Sequence, residues 1–151
     1  MPPLGDAFPG EFRKKFAEIN IRIGSVIKTF VTDTTPPKIK RFVILGISVD
    51  KLAIGTLYIN SAINPNLFPT PELKNLHLKL EKQSRDYLDH DSFLDCSKIY
   101  EKEYEDLLAV LQNDTSCLIG QLSSDDLILV KRTVKEARTI PLRTKKKFGL
   151  F

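Results

Sequence analysis

The chain has 151 residues and a mass of 17.2 kDa, enough for one compact domain with its own core, and its 42% hydrophobic and 28% charged residues exclude a disordered protein. A net charge of +4 with pI ≈ 9.0 permits an anionic partner without demanding one, and no apolar run approaches the ~20 residues that span a bilayer. The N-terminal MPPLGDAFPG carries neither a basic nor an apolar signal region, so export is not expected, and Cys96 and Cys117 read as free thiols in a reducing cytoplasm.

Taken in chain order, EFRKKFAEI places Phe12, Phe16 and Ile19 at helical spacing and predicts a short amphipathic helix. IRIGSVIKTFV and RFVILGISV have the β-branched and aromatic composition of strands. Between them TDTTPPKIK reads as a loop, because Pro36 and Pro37 suit neither a helix nor a central strand. Asp50-Lys51 predicts a tight turn into LAIGTLYINSAI, completing a three-strand antiparallel meander. NPNLFPTPELKN is turn-dense. LHLKLEK alternates Leu76, Leu78 and Leu80 with His77 and Lys79, which predicts a strand with His77 exposed. SFLDCSKI predicts another strand. YEKEYEDLLAVLQN predicts a helix from Tyr100 to Asn113, with Tyr104, Leu107, Leu108 and Leu111 at helical spacing. A last helix starts at Ser123 with Asp126 three residues on, has Leu127, Val130, Val134 and Ala137 as its apolar stripe, and is ended by Pro141. The basic tail, residues 141–151, is either an RNA contact or a frayed end.

These elements predict a single domain over residues 1–151. Its fold class is mainly β with helices (α+β), a small antiparallel barrel over residues 21–137 with an N-terminal and a C-terminal helix packed on it.

The segment DHDSFLDCSKI concentrates Asp89, His90, Asp91, Asp95 and Cys96. It lacks the paired Cys or His spacing of a zinc site and the glycine of a calcium loop, so no metal ligand set and no cofactor is expected. Asp95 beside Cys96 disfavours a thiolate, and alternation puts Leu94 and Cys96 on the core face. The stretch reads as a polar lip followed by a strand.

The order of Gly24-Ser25-Val26, RFVILGIS, LYINSAI, DCSKI and GQLSSDDLILVKRTV resembles the PemK/MazF-like growth-inhibitor toxins, over roughly residues 21–137. The resemblance implies an SH3-like barrel. It implies a metal-independent endoribonuclease that cuts single-stranded RNA, acts as a cytoplasmic homodimer and is held in check by a separate antitoxin protein. Carried onto this sequence, it puts the phosphate-stabilising guanidinium at Arg41, although Phe42 stands where the family has Pro. Asn60 falls where a catalytic Thr is expected, and Ser61 keeps a hydroxyl one position on. Arg41, Asn60 and Ser61 are therefore the candidate catalytic residues, with Lys38, Lys40 and His90 as candidate substrate contacts. The same residues also admit a catalytically inactive barrel that binds nucleic acid or protein, since this fold hosts unrelated functions.

Overall fold

The β-branched runs pair as their turns dictate. In the computed structural model, which describes residues 10–151, the elements are α1 (Gly10–Asn20), β1 (Ser25–Val31), β2 (Lys38–Ile47), β3 (Ala53–Asn60), α2 (Pro71–Lys74), β4 (His77–Leu80), β5 (Ser92–Asp95), β6 (Tyr100–Glu103), α3 (Tyr104–Asn113), β7 (Leu118–Gln121), α4 (Ser124–Glu136) and α5 (Leu142–Lys147). The signal-free reading of the N-terminus falls almost wholly on residues outside this description. Seven strands form one antiparallel sheet in the order β4-β5-β3-β2-β1-β7, with β6 alongside β3. The sheet curls into a half-barrel carrying helices, the α+β class expected. No helix among the described residues is long and apolar enough to cross a membrane.

The β2–β3 turn forms where Asp50-Lys51 predicts it. Asp50 Oδ1 accepts hydrogen bonds from Leu52 N (3.0 Å) and Ser48 Oγ (2.6 Å), and Lys51 takes φ 60°. The preceding link is shorter than the sequence implied. Val31 pairs with Lys38, so residues 32–37 make the connection, and Lys38 and Lys40 stand on β2 rather than on a loop.

Strand alternation divides the core in two. Val43, Leu45, Leu57 and Ile59 face a cluster closed by Leu94, Cys96, Val130, Val134 and Phe148. Phe42, Ile44, Ile54 and Tyr58 face a second, closed by Ala17 of α1 and by Leu107, Leu108 and Leu111 of α3. Ser123 caps α4 as expected, accepting from Asp126 N at 3.1 Å.

Four expectations are corrected. Residues 100–103 are a strand, not the first turn of a helix, because β3 offers Ala53–Thr56 an open edge and Tyr100–Glu103 fills it. In α1, Phe12 and Ile19 are exposed and Ala17 is the buried residue, so the helix is rotated from its Phe-Phe-Ile stripe. His77 is buried, because the turn-dense segment lays Phe68 edge-on against its ring, with centroids 4.2 Å apart. Helix α4 ends at Glu136, ahead of Pro141, and Pro141 opens α5 instead.

The basic tail does not fray. Phe148 and Leu150 are buried, and Phe148 seats over Gly46 and Gly55, where an added Cβ would fall 2.8 Å from Phe148 Cβ and 3.1 Å from its ring. Lys145 Nζ donates to the carbonyls of Lys135 (2.8 Å) and Ala137 (2.7 Å), neutralising the C-terminal end of α4. Phe148→Ala is expected to cost about 3–5 kcal/mol in denaturant unfolding, whereas Lys146→Ala should stay within about 0.5 kcal/mol.

The segment before β5 is clamped to α4 by a two-pronged ion pair, Arg85 to Asp126 at 2.9 and 2.8 Å. The Arg85 bonds hold the Asp126 carboxyl below its usual range. A lowered carboxyl pKa adds stability above the unfolded-state value, about 4, that disappears as pH falls through the folded value. Asp126→Asn should therefore lose about 1 kcal/mol at pH 7. In urea unfolding the gap between variant and parent should narrow as pH falls from 7 to below the unfolded-state value, about 4.

Candidate functional site

The register of β2 and β3 assembles the site. Arg41 pairs with Ile59, which brings the start of β2 beside the end of β3. The loop ahead of β5 closes the third side. Together Ile39, Lys40, Arg41, Ile59, Asn60, Ser61, Leu88, Asp89, His90 and Ser92 line a cleft of about 120 Å³. Five of the six residues singled out from sequence thus meet in one place. Lys38 does not line it. It lies two residues earlier on β2, exposed and opposite Val31.

Arg41 is oriented from below and held in front. Its Nε donates to the Tyr87 carbonyl at 3.0 Å, and its Nη2 to Asp89 Oδ2 at 2.8 Å. The Arg41 side chain is 22% exposed and that of Asp89 74%. A half-sheltered guanidinium therefore faces a carboxylate that solvent reaches freely. The Arg41 bond holds the Asp89 carboxyl below the usual carboxylate range. A phosphate offers the same paired oxygens as this carboxylate, so the two ligands compete for one guanidinium.

Lys40 stands on the opposite face of β2 and donates to Asn60 Oδ1. Burial, and then the charge of Lys38, lower its pKa. His90 Nδ1 lies 2.8 Å from the Asp91 carbonyl and 3.2 Å from Ser92 Oγ. A carbonyl partner assigns the ring proton to Nδ1 and leaves Nε2 as the acceptor. Ser61 adds a hydroxyl to the cleft wall.

The remaining polar residues of DHDSFLDCSKI are architectural. Asp91 accepts from Lys82 N at 2.8 Å, and Asp95 accepts from Ser97 N (2.9 Å) and Oγ (2.5 Å). Leu94 and Cys96 are fully buried, as alternation predicts, and burial, then Asp95, push the Cys96 thiol up to about 12. His77 Nε2 is 3.9 Å from Asp95, and neither ring nitrogen has a hydrogen-bond partner among the described residues. Among the described residues, no three of His, Cys, Asp and Glu gather as metal ligands.

A larger groove of about 370 Å³ lies over the second core cluster, between β1, β6 and α3. Its cation, Lys102, is already paired with Asp33 at 2.8 Å, and Glu101, Glu103 and Asp106 make its rim acidic. Such a rim repels phosphate, so the smaller cleft carries the candidate chemistry.

Sequence reading missed Asp89 and the Tyr87 carbonyl as partners of Arg41. Both are 46 or more positions away. Only the polarity of DHD hinted at the first, and nothing hinted at the second. No protein-family model and no curated protein matches the chain. Its functional reading therefore rests on the cleft and on the order of its sequence segments.

If Asp89 competes with an anion, Asp89→Asn should strengthen anion binding. Titrating inorganic phosphate while following thermal unfolding should raise the Tm of Asp89→Asn more than that of the parent, and Arg41→Ala should remove the difference.

Proposed function

We propose that the chain is a toxin-like, metal-independent endoribonuclease that cuts single-stranded RNA at the Arg41 cleft. The observation that carries this reading is the convergence of Lys40, Arg41, Asn60, Ser61 and His90 on one polar cleft from three separate segments. Cytoplasmic location, homodimerisation and a restraining antitoxin protein follow from the family resemblance and are part of the same proposal.

The chemistry asks three things of the residues. A 2′-hydroxyl must lose its proton as its oxygen attacks the neighbouring phosphorus. The five-coordinate phosphate must be stabilised. The departing 5′-oxygen must gain a proton, leaving a 2′,3′-cyclic phosphate and a 5′-hydroxyl. Arg41 is suited to the second task, since its planar fork meets two phosphate oxygens and stays charged. His90 Nε2 is the acceptor available for the first, and its protonated form for the third. Asn60 and Ser61 supply further hydrogen bonds to the phosphate or the ribose. Unpaired, single-stranded RNA can splay its bases and lay its backbone into so small a cleft.

A second reading, a binding module without catalysis, is favoured by one observation. Asn60 stands where the family has Thr, and its amide oxygen is engaged by Lys40 rather than turned to substrate.

The test is purified protein with long single-stranded RNA in EDTA, beside Arg41→Ala. The nuclease reading expects discrete fragments from the parent and at least a hundredfold slower cleavage by the variant. Intact RNA in both reactions overturns it. Salt-sensitive RNA binding under those conditions would move the chain to the binding reading.

A further inference from the structure

Beyond the cleft, one surface has no role in the chemistry above and is unusual in its composition. The rings of Tyr58 and Tyr100 are stacked, with centroids 4.2 Å apart and planes 18° apart. Three ammonium groups surround this pair. Lys102 lies 4.8 Å and Lys40 5.6 Å from the Tyr58 centroid, and Lys98 lies 4.7 Å from that of Tyr100. Of the three, only Lys102 has a carboxylate partner among the described residues, Asp33. Lys40 bonds the neutral Asn60 amide, and among the described residues neither Lys98 nor Lys38 has a hydrogen-bond or ion-pair partner. Asp95, whose charge reaches Lys40, is buried and occupied by Ser97. The surface is therefore aromatic and positively charged, with Asp33 compensating Lys102 alone.

It is also continuous with the cleft. Tyr58 and Asn60 project from the same face of β3, and Lys40 bridges them, bonding Asn60 while lying over the Tyr58 ring. Tyr100 is brought alongside by the pairing of β6 with β3, in which it sits opposite Thr56. Tyr58 stacks on one face of its half-buried ring, and the ammonium of the exposed Lys98 also lies over it, on a flexible stem that can swing aside.

We propose that Tyr100 and Lys98 form a nucleotide subsite: a base of the strand that enters the cleft stacks on the exposed part of the Tyr100 ring, where Lys98 now lies, while Lys98 and Lys38 meet backbone phosphates. The inference rests on the RNA reading of the cleft and extends it to a second contact. An aromatic face beside unpaired ammonium groups suits single-stranded RNA, whose bases and phosphates alternate along one strand. The buried partner Tyr58 makes Tyr100 a fixed platform, since the base then adds to an existing stack. Stacking accepts any base, so this contact sets where the strand lies and not which sequence is read.

The test is fluorescence anisotropy with a labelled 2′-O-methyl RNA of about eight nucleotides, which spans such a site and cannot be cut. Tyr100→Leu, which keeps an apolar side chain but loses the π face, should weaken binding about tenfold. Tyr100→Phe should bind as the parent does. An oligonucleotide lacking the stacked base should bind parent and Tyr100→Leu alike. Lys98→Ala should reduce the slope of log affinity against log salt by about 0.7, the value for one phosphate contact on a single strand. Because Lys98 is exposed, that variant keeps the test decisive even if Tyr100→Leu loses its fold. Binding that requires Arg41 yet is unchanged in Tyr100→Leu and Lys98→Ala overturns the subsite and leaves the RNA reading standing. No binding by the parent at low salt overturns both.

Discussion

From Ile54 to Ile59 every residue of β3 is buried, and the strand is covered on both faces of the sheet. One edge is committed to β2 along its length. The other is shared, with β6 against its first half and β5 against its last two residues. A strand so enclosed cannot slip, because a shift of one residue would exchange the contents of the two core clusters. Its end is therefore a fixed point. Asn60, the start of Ser61 and, across the pairing, Arg41 are placed by the most constrained part of the molecule, although they reach solvent themselves.

The cleft uses its charges differently from the scaffold. Arg85 and Asp126 bind each other by two hydrogen bonds and hold the segment that carries Tyr87, whose carbonyl aims Arg41. That pair is architecture. Arg41 and Asp89 make a single charged contact at an open lip. Lys40 rests on a neutral amide. Cations with exchangeable or neutral partners keep their orientation in the free protein and remain available to an incoming anion. An anion then replaces ligands rather than assembling a site from disordered side chains.

What the sequence revealed follows from the range of the interactions involved. The first three strands, the Asp50-Lys51 turn and the Ser123 cap depend on residues within a few positions, and all were legible. Burial of Leu94 and Cys96 was legible too, because alternation alone decides it. The strand at Tyr100–Glu103 was not, since YEKE has no strand composition and is recruited by the open edge of β3. His77 was misread because its cover, Phe68, comes from a proline-rich segment without periodicity. In α1 the short Ala17 lets the helix approach α3 closely, which outweighs burying Phe12 and Ile19. For the site, the cations could be named in advance, but not the groups that orient them.

The seating of Phe148 has a consequence for how the chain reaches its native state. Every strand has been made once Gln121 is added, yet the notch over Gly46 and Gly55 stays empty until residue 148 follows. The β2–β3 hairpin is therefore completed by a side chain about a hundred positions later, the kind of long-range contact that folds late. Phe148 thus acts as a keystone, tying the end of the described chain to the hairpin of its second and third strands.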